Sequence, residues 1–236
     1  EDPRRQRQMC IRDRDIALTT NGSLLTRHAE TLASSGLDRV TVSLDAIEDE
    51  IVQDISNSSI SSNDIIEGIK AALEHGLEVK VNTVIIKNYN EHQIIPITQR
   101  FSEMGVSVRF IEYMDVGGTK NWNPEQVVFG DEIRTIIATR FGRLKPLKQQ
   151  KYGEVANRWS LSNGYEIGFI ESISKPFCQS CTRARISANG KLYTCLFSER
   201  GYDLKSLITM GADIKDLRDA VIAVSYTHLR AHETPV

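Results

Sequence analysis

The chain has 236 residues, enough for one large domain or two modest ones, and its 40% apolar and 25% charged residues are the balance of a globular protein. A formal net charge of −2 gives no global reason to expect nucleic acid, so any anion site has to be local. No apolar run approaches the roughly 18 residues a membrane-spanning helix needs, and no apolar signal core opens the chain, so the sequence reads as cytoplasmic, without membrane or nucleic acid as partner.

The two ends stand apart. Residues 1–14, EDPRRQRQMCIRDR, hold five arginines and no apolar period, and residues 224–236 are equally patternless. Both resemble translated adapter read-through, and both are expected to lie outside the fold, with Cys10, His228 and His232 accidental.

Between them, short β-rich runs alternate with helical patterns. Ile16–Thr20 is a strand ending at Asn21-Gly22, followed by Leu24, Leu25, His28 and Leu32 at helical spacing up to Gly36. Val40–Leu44 is the next strand. After a Ser/Asn-rich loop, Asn63 is expected to cap a helix whose inward face is Ile65, Ile66, Ile69 and Leu73, stopped by Gly76. Val79–Ile86 is a third strand with a helix over Glu91–Met104, and Val106–Met114 a fourth. This alternation predicts an α/β fold with right-handed crossovers and a parallel sheet.

A ligand site is then expected at the C-terminal strand ends. The polar residues expected there are Thr19, Thr20 and Asn21; Ser43 and Asp45; Asn82 and Thr83; and Arg109, Glu112 and Asp115. Four strands cannot close a barrel, so the sheet is open or further units lie upstream. Past Gly117-Gly118 the pattern changes to a helix from Asp131 through Phe141 and strands over Tyr152–Leu161 and Tyr165–Ser172. A smaller α+β module follows from this, with a boundary near Gly118–Pro124. The expected division is a barrel part over 15–118 and a C-terminal domain over 119–223.

Three of the four cysteines cluster. Cys178-Gln-Ser-Cys181 is a CxxC loop, and thirteen residues separate Cys181 from Cys195. The Asn189-Gly190 signal between them predicts a two-residue hairpin, both turn residues at positive φ, that returns Cys195 to the loop. Structural zinc wants a fourth ligand that no nearby residue supplies. A thioredoxin-like CxxC would open a helix, whereas Pro176-Phe177 precedes this one. An iron–sulfur cluster tolerates three protein thiolates when one iron is kept for a substrate. Iron–sulfur ligation is the favoured reading, with zinc and a buried thiol cluster left open. Arg183 and Arg185 alternate on one strand face beside the cysteines, as a bidentate phosphate clamp would require. Two solvated arginines are the plainer alternative.

The segment KPFCQSCTRARISANGKLYTCLF, with TTNGSLL, VTVSLDA, VKVNTVIIKNYN and VRFIEYMDVG upstream, resembles the GTP 3′,8-cyclase family of radical S-adenosylmethionine enzymes, which begin molybdenum cofactor biosynthesis. The similarity runs from about Asp15 to about Ala223. It implies a partial radical S-adenosylmethionine (βα) barrel lacking its first units, followed by a C-terminal domain with a [4Fe–4S] cluster that binds GTP through an open iron. By that resemblance Cys178, Cys181 and Cys195 are cluster ligands, and Arg183, Arg185, Thr19 and Lys80 contact GTP. Ser43 and Met114 contact S-adenosylmethionine, and Arg109 faces the same cavity.

Read without the family, Met114 is a core residue, Ser43 and Thr19 satisfy backbone, and Lys80 is a solvated charge. The resemblance also implies a downstream partner, cyclic pyranopterin monophosphate synthase, and leaves a homodimer open. The family's radical chemistry needs a second [4Fe–4S] cluster on an N-terminal CxxxCxxC motif, which this sequence does not contain. The fragment is accordingly expected to be inactive, with an unpaired apolar strand edge at Ile16–Thr20. Another radical enzyme with an auxiliary cluster and a non-catalytic zinc or iron–sulfur module are the competing readings.

Overall fold

The computed structural model describes residues 15–115, 122–150, 153–176, 181 and 183–231, with side chains through Val224. Within them run ten strands and seven α-helices. The strands are β1 (Ala17–Thr20), β2 (Arg39–Ser43), β3 (Glu78–Ile85), β4 (Ser107–Glu112), β5 (Lys145–Pro146), β6 (Asn157–Ser160), β7 (Glu166–Ile170), β8 (Arg185–Ile186), β9 (Lys191–Tyr193) and β10 (Tyr202–Asp203). The helices are α1 (Leu25–Ser34), α2 (Asp49–Ser56), α3 (Ser62–Glu74), α4 (Ile94–Glu103), α5 (Gly130–Phe141), α6 (Leu204–Thr209) and α7 (Ile214–Ala231).

The chain divides into two compact units. The first contains a seven-stranded sheet in the order β1-β2-β3-β4-β7-β6-β5. Its first five strands are parallel, and β6 and β5 add antiparallel. Alternation sorts β3 and β4 cleanly: Val79, Val81, Thr83 and Ile85, with Val108, Phe110 and Glu112, are buried, while Lys80, Asn82, Arg109 and Ile111 are half-buried on the opposite face. Helices α3, α4 and α5 pack on the buried face, and α1 packs on α3. That last approach needs glycine: a Cβ on Gly68 would sit 3.0 Å from Leu25 Cβ, and one on Gly22 2.9 Å from Ile65 Cγ2.

Several local elements differ from those expected of the sequence. The cap of α3 is Ser61, not Asn63: Ser61 Oγ accepts from Asp64 N at 3.1 Å, and the Asp64 carboxylate accepts from Ser61 N. This is a capping box, and it satisfies two amides where a lone Asn would satisfy one. Leu73 is exposed, and Ala72 takes the inward position beside Ile65, Ile66 and Ile69. The loop expected after β2 contains a helix, α2, with Asp49 and Glu50 in its first turn and Val52 buried. The start expected at Glu91 is a 3₁₀ turn over Glu91–Gln93 that leads into α4.

The division of the chain also differs from the expected boundary near Gly118–Pro124. Strand β7 pairs parallel with β4, matching Val108 to Ile167 and Ile111 to Ile170, so residues 123–176 belong to the first unit. Helix α7 runs on to Ala231, into the stretch expected as a patternless tail. At the other end, β1 pairs only with β2 among the described residues and forms the sheet edge.

The junction of β4 and β7 is closed by one carboxylate. Glu112 is 1% exposed and accepts from the backbone amides of Gly130 at 2.9 Å and of Ile173 and Ser174 at 2.8 Å, and from Ser174 Oγ at 2.5 Å. It ties the end of β4 to the start of α5 and to the loop after β7. Replacing Glu112 with Gln removes the charge and turns an amide NH₂ toward amide donors. The expected cost is about 3 kcal/mol of stability, read as a lower denaturant midpoint. An unchanged midpoint would show that the clamp is dispensable.

Candidate functional site

The cross-strand register assembles a polar surface on the face away from the helices. Thr19, Thr41 and Lys80 lie in one row, and Ser43, Asn82, Arg109 and Gly168 in a row next to it. Gly168 leaves room for its neighbour, because a Cβ there would stand 3.0 Å from Arg109 Cγ. Lys80 and Arg109 line a cavity of about 330 Å³ together with Arg39, Asp15 and Glu154. Lys80 is ion-paired to Glu78. Burial, and after it the positive charge of Arg39, push the Arg109 guanidinium below its ordinary range.

Ser43 is exposed at the end of β2. It lines a separate small cavity of about 40 Å³ with Asn21, Asp45 and apolar side chains that include Val52 and Ile60. Met114 is half-buried just past β4, and Thr19 is exposed on the edge strand. The structure therefore places Arg109 in the cavity of Lys80, while sharing a register row with Ser43.

Other polar residues expected in the site are structural. Thr83 is fully buried and donates to the Leu44 carbonyl at 2.7 Å. Asp45 accepts from Val84 N at 2.7 Å, and burial pushes its carboxyl up. Asn90, absent from the sequence reading, is completely buried and donates to the Asp45 and Val84 carbonyls at 2.9 Å each. These bonds pin the C-terminal ends of β2 and β3 to each other, which fixes the loops that carry Ser43.

In the second unit, β8 and β9 form the predicted hairpin, pairing Arg185 with Tyr193. The turn is not the predicted one. Only Gly190 takes positive φ, at 79°. Its amide donates to the Ser187 carbonyl at 2.8 Å, and Ser187 N donates to the Lys191 carbonyl at 2.9 Å. That is the three-residue loop that ends in a left-handed glycine. Glycine is required twice over, since a Cβ at Gly190 would lie 2.7 Å from Lys205 Cβ.

Cys181 and Cys195 are free, half-buried thiols. Cys178 lies outside the described residues, and among those described no three His, Cys, Asp or Glu side chains group as a metal site. Arg183 and Arg185 are both half-buried, while Ala184 and Ile186 are exposed, the predicted alternation. Burial raises the Cys181 thiol, but hydrogen bonds from Arg183 and the charges of Arg183 and Arg185 outweigh it and hold the thiol below its ordinary range. Arg185 Nη1 is buried with no hydrogen-bond partner among the described residues. A lowered thiol beside cationic groups is the donor chemistry that a thiolate-bound metal or cluster uses.

Residues 106–233, more than half of the chain, match the family model described as Molybdenum Cofactor Synthesis C. The chain belongs to this family. Residues 4–101, ahead of that region, match the model described as Radical SAM superfamily. It is 46% identical over 206 residues to a GTP 3′,8-cyclase of Staphylococcus epidermidis, covering 86% of this chain and 60% of the relative. To one of Staphylococcus aureus it is 44% identical over 207 residues, covering 87% and 61%. The chain thus spans about 60% of the length of the curated relatives it matches. Among solved structures, Streptococcus suis SuiB shares the fold at a TM-score of 0.53 and 14% identity, over 85% of this chain and 49% of that one.

The wall beside the Lys80 cavity is held by Glu171, which the sequence reading missed. It is 2% exposed and accepts from Arg134 at 2.9 Å, Asn157 at 2.6 Å and Lys175 at 3.0 Å. Burial alone would raise this carboxyl, but the three donors outweigh it and leave the group below its ordinary range. A carboxylate whose folded pKa is depressed contributes stability above its unfolded pKa and loses it as pH falls through the folded value. Glu171→Gln is therefore less stable than the parent at neutral pH. The gap between the two thermal midpoints should narrow as pH falls below the ordinary value of 4.5. A gap independent of pH would contradict this.

Proposed function

We propose that this chain is the nucleotide-holding part of a GTP 3′,8-cyclase, which converts GTP to (8S)-3′,8-cyclo-7,8-dihydroguanosine 5′-triphosphate in molybdenum cofactor biosynthesis. The observation that carries this is identity of 44–46% to relatives of that name over 86–87% of the chain, joined to the CxxC, RxR and distal Cys pattern over Cys178–Cys195. Cys178, Cys181 and Cys195 hold a [4Fe–4S] cluster. Two observations fit that group: the described thiols are free, and Cys181 is biased toward the thiolate. When bound, the cluster supplies an open iron as a Lewis acid for the nucleotide.

The chain's own residues bind and orient. In the second unit Arg183 and Arg185 fork phosphate or base oxygens beside the thiolates, and in the first Lys80 and Thr19 are the residues proposed to contact GTP. Ser43 and Met114 stand toward S-adenosylmethionine, whereas Arg109, which shares the cavity of Lys80, faces the phosphates of the nucleotide. The protein works in the cytoplasm, and its product passes to cyclic pyranopterin monophosphate synthase. The 236 residues contain no CxxxCxxC motif, so no thiolate set for the radical-forming cluster is present.

Two measurements test this. Anaerobic reconstitution with iron and sulfide should load about four irons per chain, and the paramagnetic-resonance spectrum of the reduced protein should change when GTP is added. Zinc in place of iron, or a spectrum indifferent to GTP, would sink the nucleotide reading. The same reconstituted chain, given dithionite and S-adenosylmethionine, should release no 5′-deoxyadenosine above a protein-free blank. Turnover above that blank would show that other residues can hold the radical-forming cluster.

A further inference from the structure

We propose that Arg39 is a third phosphate-binding cation in the cavity of Lys80 and Arg109, with Asp15 as the counter-charge that a polyphosphate displaces. That the natural polyphosphate is the GTP triphosphate rests on the function proposed above; the anion chemistry does not.

No motif marks Arg39. It opens β2, whose Val40 and Val42 are buried against the helices. The period of two then turns Arg39, Thr41 and Ser43 to the polar face, in phase with Lys80 and Arg109. All three cations line the same cavity of about 330 Å³, in a protein whose net charge is −2.

The carboxylates that line the cavity, Asp15 and Glu154, and Glu78 beside Lys80 are already engaged. Glu154 pairs with Arg158 at 2.9 Å, Glu78 pairs with Lys80, and Asp15 accepts from Arg39 Nε at 2.7 Å. Arg109 has no hydrogen bond or ion pair of its own among the described residues; the charge of Arg39 acts on it unfavourably, and the more weakly acting charges of Glu154, Glu78 and Glu166 oppose that. Holding like charges around a half-enclosed space is costly unless an anion fills it. The geometry of Arg39 suits that anion. Its one side-chain bond uses Nε, which leaves the two terminal nitrogens, the pair that forks a phosphate. The plainer reading is an exposed Asp15–Arg39 pair that stabilises little and binds nothing.

Isothermal titration of the 236-residue chain with inorganic tripolyphosphate and with GTP, at one fixed ionic strength, separates the two. Arg39→Gln should weaken both ligands about tenfold, the scale of one lost charge-assisted bond. Asp15→Asn, which frees Arg39, should tighten tripolyphosphate, and both variants should keep the parent's circular dichroism and thermal midpoint. Tripolyphosphate binding that Arg39→Gln leaves unchanged, or a parent chain that binds no tripolyphosphate, would overturn the proposal. If tripolyphosphate responds to Arg39→Gln while GTP does not bind, Arg39 stands and the GTP assignment falls.

Discussion

A single buried carboxylate holds the first unit together where its sequence-distant parts meet. Glu112 closes β4, and its oxygens collect the amides of Gly130, Ile173 and Ser174. Without a charged acceptor those amides would be buried at the start of α5 and in a tight loop, each with the desolvation cost of an unmade bond. Next to it, Glu171 engages Arg134, whose guanidinium also lies 4.9 Å from the ring centroids of both Trp159 and Phe169. These two acids set the position of β7 beside β4, and with it the Arg109 side of the cavity.

The sheet expresses a division of labour through its period of two. One face is almost wholly aliphatic and aromatic, and it buries the helices. The other carries Thr19, Arg39, Thr41, Lys80, Asn82 and Arg109 in rows fixed by the parallel register. A slip of one residue in β2, β3 or β4 would bury a charge and expose a valine, so the hydrophobic core and the placement of the cations enforce each other. Function on such a face needs no special backbone device; it uses the positions that the core leaves over.

Much of this was legible from the residues. Alternating Val79, Val81, Ile85 and Val108, Phe110 announces strands with one buried face, and the spacing of Arg183 and Arg185 announces two guanidinium groups on one face of their strand. What was missed depended on partners far away in sequence or on competition between near-equal local signals. Asn63 and Ser61 are both good caps, and only Ser61 has an acid three residues on. Helix α2 carries Ile51, Val52 and Ile55 at helical spacing, but the serines and asparagine after it read as loop. Asn189-Gly190 favours the two-residue turn in isolation, whereas here Gly190 is held against Lys205 and its carbonyl accepts from Leu204 and Lys205. The unit boundary was misplaced because nothing local to β7 declares that its partner is β4. Arg39 escaped notice because a charge at a strand start usually means solvent.

The β4–β7 pairing also bears on how the chain reaches this structure. Strands β1 to β4 join through successive helices, and β6 pairs with β7 after a short turn, so each side can organise from contacts close in sequence. Joining them brings Tyr165 Oη to the Val106 carbonyl at 2.8 Å across a separation of 59 residues. A loop of that length costs entropy before its contacts reward it. Docking of the β5–β7 segment is then a late step in folding, and Glu112 and Glu171 acquire their donors at that step. Until it is complete, β4 is a second open strand edge, and the interval in which it stays open sets the time during which the chain is exposed to pairing with another copy.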